Sequence, residues 1–386
     1  PTHPLTPTVT PRALSMRPPR FRLHVLLLII AALVPSAAPT SAQWITPAVT
    51  TPRVQYRTFF SPTIGRGVSY HIYTPPAYDA EPTRRFPVLY WLHGSGSVLP
   101  GIAPVSNWFN SAIAQGKIAP MLVVFPNGMP YSMWCDSKSG VTPIESVVVH
   151  DLIPTIDATF RTLAGRKGRI VEGFSMGGYG AGRLGFKFHD RFAAISMLAG
   201  GPLQLDFLDE PDAGSPVTPE QRLIIYENVY GSDPDHFLAQ SPWMLATQNA
   251  SNLIARATPI RQIIGTADFT LDANIDLHNH LLQLGVPHQF VAPPGIGHDT
   301  LALFNALGED NWTFYRGVFR LCPADLTGDQ SVDDADFIGF AAAYNRLECT
   351  DPAMPANCPA DLNADELVDD ADFVLFAAAY DTLNCP

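Results

Sequence analysis

At 386 residues the chain is long enough for one large α/β domain and a smaller companion. Its net charge of −12 is unevenly placed: fourteen acids against one arginine lie between Cys322 and Pro386, four arginines and no acid precede residue 43, and the middle is close to neutral. Because the acidity belongs to the tail, and nothing basic or aromatic-interleaved suggests one, no nucleic-acid partner is expected.

The first 42 residues read as a leader and a secretory signal. Residues 1–15 are rich in Pro and Thr, and Met16-Arg17-Pro18-Pro19-Arg20-Phe21-Arg22 is a basic start. An apolar run over 23–34, interrupted by His24, is short for a bilayer span, and Thr40-Ser41-Ala42 supplies a small-residue cleavage site. The expectation is an extracellular or periplasmic protein beginning at Gln43, with no membrane attachment after cleavage; an uncleaved anchor is the alternative. Cysteine usage agrees with export. Four of five cysteines form two equally spaced pairs in the tail, Cys322/Cys349 and Cys358/Cys385, a disulfide framework with three possible connectivities. One bridge within each repeat is expected, and Cys135 is left over.

From 54 to 78, β-branched and aromatic residues alternate with polar ones, predicting two antiparallel strands joined near 65–67. Phe86-Pro87-Val88-Leu89-Tyr90-Trp91-Leu92 is a continuous apolar run, as a buried parallel strand requires, and ends at His93-Gly94-Ser95-Gly96. A helix is predicted over 108–115, a strand over 121–125, and an amphipathic helix over 147–160 despite Pro154. A strand and helix follow over 169–188, then a strand over 193–197. Residues 200–240 read as an irregular excursion over the top of a sheet. The remaining elements are a strand over 260–264, a helix over 274–284 and a strand over 288–292. Alternating strands and helices imply a mostly parallel sheet with helices on both faces, and ligands bind beyond the strand ends of such sheets.

The chemistry sits at those ends. Gly173-Phe174-Ser175-Met176-Gly177 joins a strand to a helix, which places Ser175 on a sharp turn as a nucleophile. Asp268 and His298 follow on later strand-end loops, in the chain order of nucleophile, acid and base. Asp272 and Asp276 are rival acids on the next helix; His278, His280 and His288 are rival bases within helix or strand patterns. The backbone amides of Ser95 and Met176 are the candidate oxyanion donors. Trp108 and Trp134, beside Asn107 and Tyr131, follow strands on the same edge and are candidate cleft residues, with core or lid packing as the alternative.

Together, His93-Gly94-Ser95-Gly96, the Gly173–Gly177 motif with its Gly178-Tyr179-Gly180 continuation, Gly265-Thr266-Ala267-Asp268 and Gly295-Ile296-Gly297-His298 resemble the esterase-D-like branch of the α/β-hydrolases over roughly residues 56–319. That resemblance implies an α/β-hydrolase fold and a serine carboxylic-ester hydrolase with no catalytic cofactor. Its relatives act on feruloyl, acetyl-xylan, formylglutathione and mycolyl esters. Glu172 departs from the family, which usually has a small or apolar residue there; a neutralised buried acid is the favoured explanation, tuning of the site the other.

The tail is a tandem repeat of 36 residues: Cys322-Pro323-Ala324-Asp325-Leu326 recurs as Cys358-Pro359-Ala360-Asp361-Leu362. Oxygen-bearing side chains fall at loop positions 1, 3, 5, 9 and 12, namely Asp325, Thr327, Asp329, Asp333 and Asp336, then Asp361, Asn363, Asp365, Asp369 and Asp372. That spacing suits Ca2+ in a twelve-residue loop, followed by a helix presenting Phe337, Phe340, Ala341 and Tyr344 on one face. The pattern resembles a type I dockerin, implying a small α-helical calcium module and a cohesin or cell-surface partner. Two departures stand out: Gln330 and Glu366 occupy the sixth position in place of Gly, and Asp334-Ala335 and Asp370-Ala371 replace the usual Ser-Thr recognition pair. The domain reading is therefore 1–42 leader and signal, 43–320 esterase and 321–386 repeat module. It leads to a secreted esterase acting on acetyl or feruloyl groups of a polysaccharide, with an acyltransferase or a non-catalytic binding protein as alternatives.

Overall fold

The computed structural model describes residues 43–209, 215–319, 323–327, 332–355, 358–363 and 365–381. The expected leader and signal lie outside them. Eight strands form one sheet in the order β1-β2-β4-β3-β5-β6-β7-β8. β1 (Val54–Ser61) and β2 (Arg66–Tyr73) form the expected hairpin, and β2 pairs antiparallel with β4 (Leu122–Pro126). From β4 onward every neighbour is parallel: β3 (Val88–Leu92), β5 (Arg169–Phe174), β6 (Ala194–Leu198), β7 (Ile260–Ile263) and β8 (Gln289–Val291).

The central strands are apolar on both faces because both faces are covered. On β3, Val88, Tyr90 and Leu92 enter one core cluster, while Leu89 and Trp91 enter the other, as the two-residue strand period demands. Helix α1 (Leu99–Ala114) follows β3 and begins nine residues before the expected start. The helical stretch α2 runs through Ile144–Ser146, a π-turn at Val147–Leu152 and Ile153–Thr159. Pro154 cannot donate a backbone hydrogen bond, and the widened turn just before it absorbs that defect. Helix α3 (Met176–Lys187) follows β5.

Residues 200–240, expected to be irregular, are irregular over 200–209 but carry two helices in their second half, α4 (Pro219–Tyr230) and α5 (Pro234–Gln240); α6 (Pro242–Ala255) follows. All three start from side-chain caps, Thr218, Asp233 and Ser241, each followed by Pro at the first helical position. Helices α7 (Leu271–Gln283), α8 (Thr300–Leu307) and α9 (Glu309–Val318) complete the domain.

Glu172 is wholly buried on β5 and accepts hydrogen bonds from Arg261 Nη2 at 2.9 Å and Tyr315 Oη at 2.8 Å. Arg261 on β7 is the neutralising partner of this acid and also bonds Ser196 and Asn311. Three strands and α9 are thereby fastened by one polar network.

In the C-terminal region, α10 (Asp334–Tyr344) and α11 (Asp370–Tyr380) pack about Phe340 and Phe376, whose rings stack at 4.8 Å. Their contacts are reciprocal: Tyr344 Oη donates to Asp370 and Tyr380 Oη donates to Asp334. The disulfide arrangement corrects the expected pairing. Cys349 of the first repeat bonds Cys358 of the second, nine residues on, with Cα atoms 5.3 Å apart. The bridge spans the repeats because the Glu348–Leu367 antiparallel pair folds the end of one repeat against the middle of the next loop. Cys322 and Cys385 lie outside the described residues, and Cys135 is a buried free thiol. Among the described residues, no helix is long and apolar enough to cross a membrane.

Candidate active site

β5 delivers Ser175 into a backbone conformation of φ 59° and ψ −122°, one an L-residue rarely adopts, and α3 starts at the next residue. Packing forces the two motif glycines. A Cβ on Gly177 would lie 1.9 Å from the Leu92 carbonyl oxygen, and one on Gly173 would lie 2.3 Å from that of Gly177. The turn is fastened at its backbone: Ser175 N donates to Leu198 O at 2.9 Å, and Ser175 O accepts from Tyr179 N at 3.0 Å.

The structure brings Ser175, His298 and Asp268 together. His298 Nε2 lies 2.9 Å from Ser175 Oγ, and Nδ1 lies 2.7 Å from Asp268 Oδ2. The Asp268 side chain has no exposed surface, and its other oxygen accepts from Thr270 N at 2.9 Å and Thr270 Oγ1 at 3.0 Å. Asp268 therefore takes the imidazole Nδ1–H, leaving Nε2 to accept the serine proton. Phe174 and Phe269 flank the imidazole, with ring centroids 4.5 and 4.6 Å away. The rival histidines have other partners: His278 Nδ1 meets His288 Nε2 at 2.7 Å, and His280 Nε2 meets Thr247 Oγ1 at 2.9 Å.

Met176 is the first residue of α3, so its amide has no acceptor within the helix. The second candidate donor belongs to the Gly94–Ser95 peptide, held against the serine: a Cβ on Gly94 would meet Ser175 Cβ at 3.1 Å. Here a residue that sequence reasoning left as part of a motif becomes specific. His93 Nδ1 donates to Gly94 O at 2.7 Å, and its Nε2 accepts from Gly128 N at 3.2 Å. A trans peptide directs its C=O and N–H oppositely, so this bond turns the Ser95 N–H away from the His93 ring. Burial pushes the His93 pKa down to about 4, which keeps the ring neutral and able to make both bonds.

Both tryptophans expected in a cleft are packing residues. Trp134 is fully buried; its Nε1 donates to His93 O at 3.2 Å, and its ring lies edge-on to His93. Cβ atoms on Gly128 and Gly180 would each come within 2.4 Å of the indole. Trp108 is half-buried and stacks against Phe304 and Trp312, at 4.2 and 4.8 Å, packed on the core beside α8 and α9. Aromatic side chains at these positions bury more surface by packing than a shallow cleft allows.

In the C-terminal loops, carboxylate oxygens of Asp361, Asp365 and Asp372 lie within 4.8 Å of one another, an all-oxygen donor set that fits a hard cation. Burial raises the Asp372 pKa. Asp372 accepts from the amides of Leu362 and Asn363, and Asp369 caps α11 through Ala371 N. In the first loop, Asp336 accepts from Thr327 N and Asp333 caps α10 through Ala335 N; Asp325 is buried, and Asp329 lies outside the described residues. Glu366, at the sixth position, has φ +74°, the left-handed conformation that favours glycine there.

Residues 61–267 match the sequence model of the family described as "Putative esterase". The chain belongs to this esterase family. It is 31% identical over 172 residues to an endo-1,4-beta-xylanase/feruloyl esterase of Xylanibacter ruminicola, covering 42% of this chain and 23% of that protein. An esterase of Mycobacterium tuberculosis is 34% identical over 160 residues, covering 40% of this chain and 34% of the relative. The match thus spans only 23% to 34% of the length of these curated relatives. Among solved structures, a ferulic acid esterase superposes with a TM-score of 0.55 at 24% identity, over 68% of this chain and 97% of that one. An S-formylglutathione hydrolase from Agrobacterium tumefaciens superposes with 0.55 at 17% identity, over 69% and 95%. These likenesses establish an α/β-hydrolase fold. Asp268 and His298 fall beyond the family match, and it is the fold that returns them to Ser175.

Proposed function

We propose that the protein is a secreted serine carboxylic-ester hydrolase acting on acetyl or feruloyl esters of extracellular polysaccharide. The observation that carries the mechanism is the unbroken chain Ser175 Oγ, His298 Nε2, His298 Nδ1, Asp268 Oδ2. Ser175 Oγ attacks the ester carbonyl carbon while its proton passes to His298 Nε2, and the buried Asp268 carboxylate stabilises the imidazolium. The Met176 and Ser95 amides receive the oxyanion. Collapse breaks the ester C–O bond, and His298 returns the proton to the departing alcohol. Water, deprotonated by His298, then splits the acyl-enzyme into acid and free Ser175. No cofactor is required.

The polysaccharide assignment draws on the named activity of the Xylanibacter relative and on the appended repeats, and secretion draws on the N-terminal sequence. The repeats are proposed to hold Ca2+ through Asp325, Thr327, Asp329, Asp333 and Asp336, and through Asp361, Asn363, Asp365, Asp369 and Asp372, with a cohesin-like or cell-surface protein as partner. The test compares wild type with Ser175→Ala on p-nitrophenyl acetate and on acetylated and feruloylated xylan. Serine-dependent release of acid is expected. Products joined to an added alcohol would mark an acyltransferase, and no turnover of any ester a binding protein.

A further inference from the structure

Among the described residues, the catalytic domain and the repeats meet at a charged contact centred on Lys167. Lys167 sits in the turn Arg166–Gly168, immediately before β5. Its ammonium donates to Cys358 O at 2.7 Å and to Asp361 Oδ2 at 2.8 Å, and lies 3.5 Å from Cys349 Sγ. The Asp361 side chain has no exposed surface, so this is a buried carboxylate whose counter-ion comes from the other domain. The turn is itself anchored, through Arg166 Nε to His189 O and Arg166 Nη2 to Thr258 Oγ1, both at 2.9 Å. Glu366 of the same loop also acts electrostatically on Arg166, alongside Arg256 and Asp190 of the catalytic domain. The Cys349–Cys358 disulfide fixes the carbonyl and the sulfur that Lys167 touches.

We propose that the turn 165–168 is a docking site for the second repeat, and that docking opposes divalent-cation loading of that repeat. Asp361 belongs both to the Lys167 contact and to the Asp361, Asp365, Asp372 group. An ammonium on a carboxylate that must also face a divalent cation places like charges on one group, which weakens cation binding. The coupling rests on the calcium reading above; the docking contact does not. Lys167 precedes β5 and Ser175 follows it, and six strand residues span roughly 20 Å. The docked repeat therefore lies toward the opposite end of the strand from the serine, and esterase turnover is indifferent to docking.

The experiment uses the full chain, first in EGTA. By small-angle scattering, Lys167→Glu is expected to enlarge the radius of gyration, with Lys167→Arg matching wild type and p-nitrophenyl acetate turnover within twofold in all three. Unchanged dimensions in Lys167→Glu overturn docking. Calorimetric titration with CaCl2 then tests coupling: Lys167→Ala is expected to bind one calcium about tenfold more tightly than wild type, and calcium to expand wild type toward the Lys167→Glu dimensions. Equal affinities overturn the coupling. If no protein binds calcium, the calcium reading and the coupling fall together, while docking still stands or falls by the EGTA measurement.

Discussion

The two ends of β5 hold charge and strain in different ways. At its C-terminal end, the site around Ser175 is built from backbone: glycines that permit close approach, a serine held in an unfavourable conformation, and an acid whose lone pairs are already engaged. At its N-terminal end, carboxylates converge on one another, and Lys167 is the cation among the described residues that reaches them. The first arrangement is complete without a ligand and preorganised for chemistry. The second is a set of oxygen donors with excess negative charge, one of which takes an ammonium from the neighbouring domain. What separates them is the kind of partner: neighbouring side chains on the strand-end turns of one domain at the first, backbone amides and a lysine from the other domain at the second.

The sharpest way to break this contrast is at the serine. Ser175→Ala is expected to lower kcat roughly 10^4- to 10^6-fold while leaving the melting temperature close to wild type; retention of turnover would move the nucleophile elsewhere. Next in size is the strut beneath it. Glu172→Leu leaves the buried Arg261 charge without its carboxylate and is expected to cost about 3–5 kcal/mol in denaturant unfolding. A loss below 1 kcal/mol would show that Ser196, Asn311 and Tyr315 suffice to hold the guanidinium.

The third prediction concerns His93. Its folded pKa of about 4 lies below the ordinary 6.5, so the unfolded chain binds a proton that the folded chain refuses. Stability from this group is complete above about pH 6.5 and is lost as pH falls through the window to about 4, an effect of about 3 kcal/mol. Chemical unfolding across that window should slope less steeply in His93→Gln than in wild type. The same variant should lose kcat by roughly tenfold to a hundredfold, since the Gly94–Ser95 peptide loses one anchor. The smallest effect is expected from chelation: EGTA should speed amide exchange in α10 and α11 while changing turnover of a small ester less than twofold. Equal loosening around Ser175 would erase the distinction between the two ends.

Much of the hydrolase was legible because its signals are local. A continuous apolar run marked β3, and the glycine-bounded turns after strands marked Ser175, Asp268 and His298. What escaped has two physical origins. Helix α4 exposes Leu223 and Ile224 while burying Ile225 and Val229, so no clean apolar face announced it. Its capping box, Thr218 with Gln221, was a readable sign that composition obscured. The other misses are long-range. Nothing in the spacing ties Trp134 to His93, which lies 41 residues away, and equal cysteine spacing could not show that the bridge joins Cys349 to Cys358.

The indole of Trp134 has a consequence for how this chain can change. Gly128, Gly180 and Trp134 share one volume, and the same indole holds the carbonyl of the residue that orients the Gly94–Ser95 peptide. A methyl group at either glycine is tolerable only if position 134 shrinks, and shrinking it releases His93. Single substitutions along that route pass through a damaged intermediate, so the three positions can change only together. Their constraint comes from shared space and from the His93 carbonyl that the indole holds.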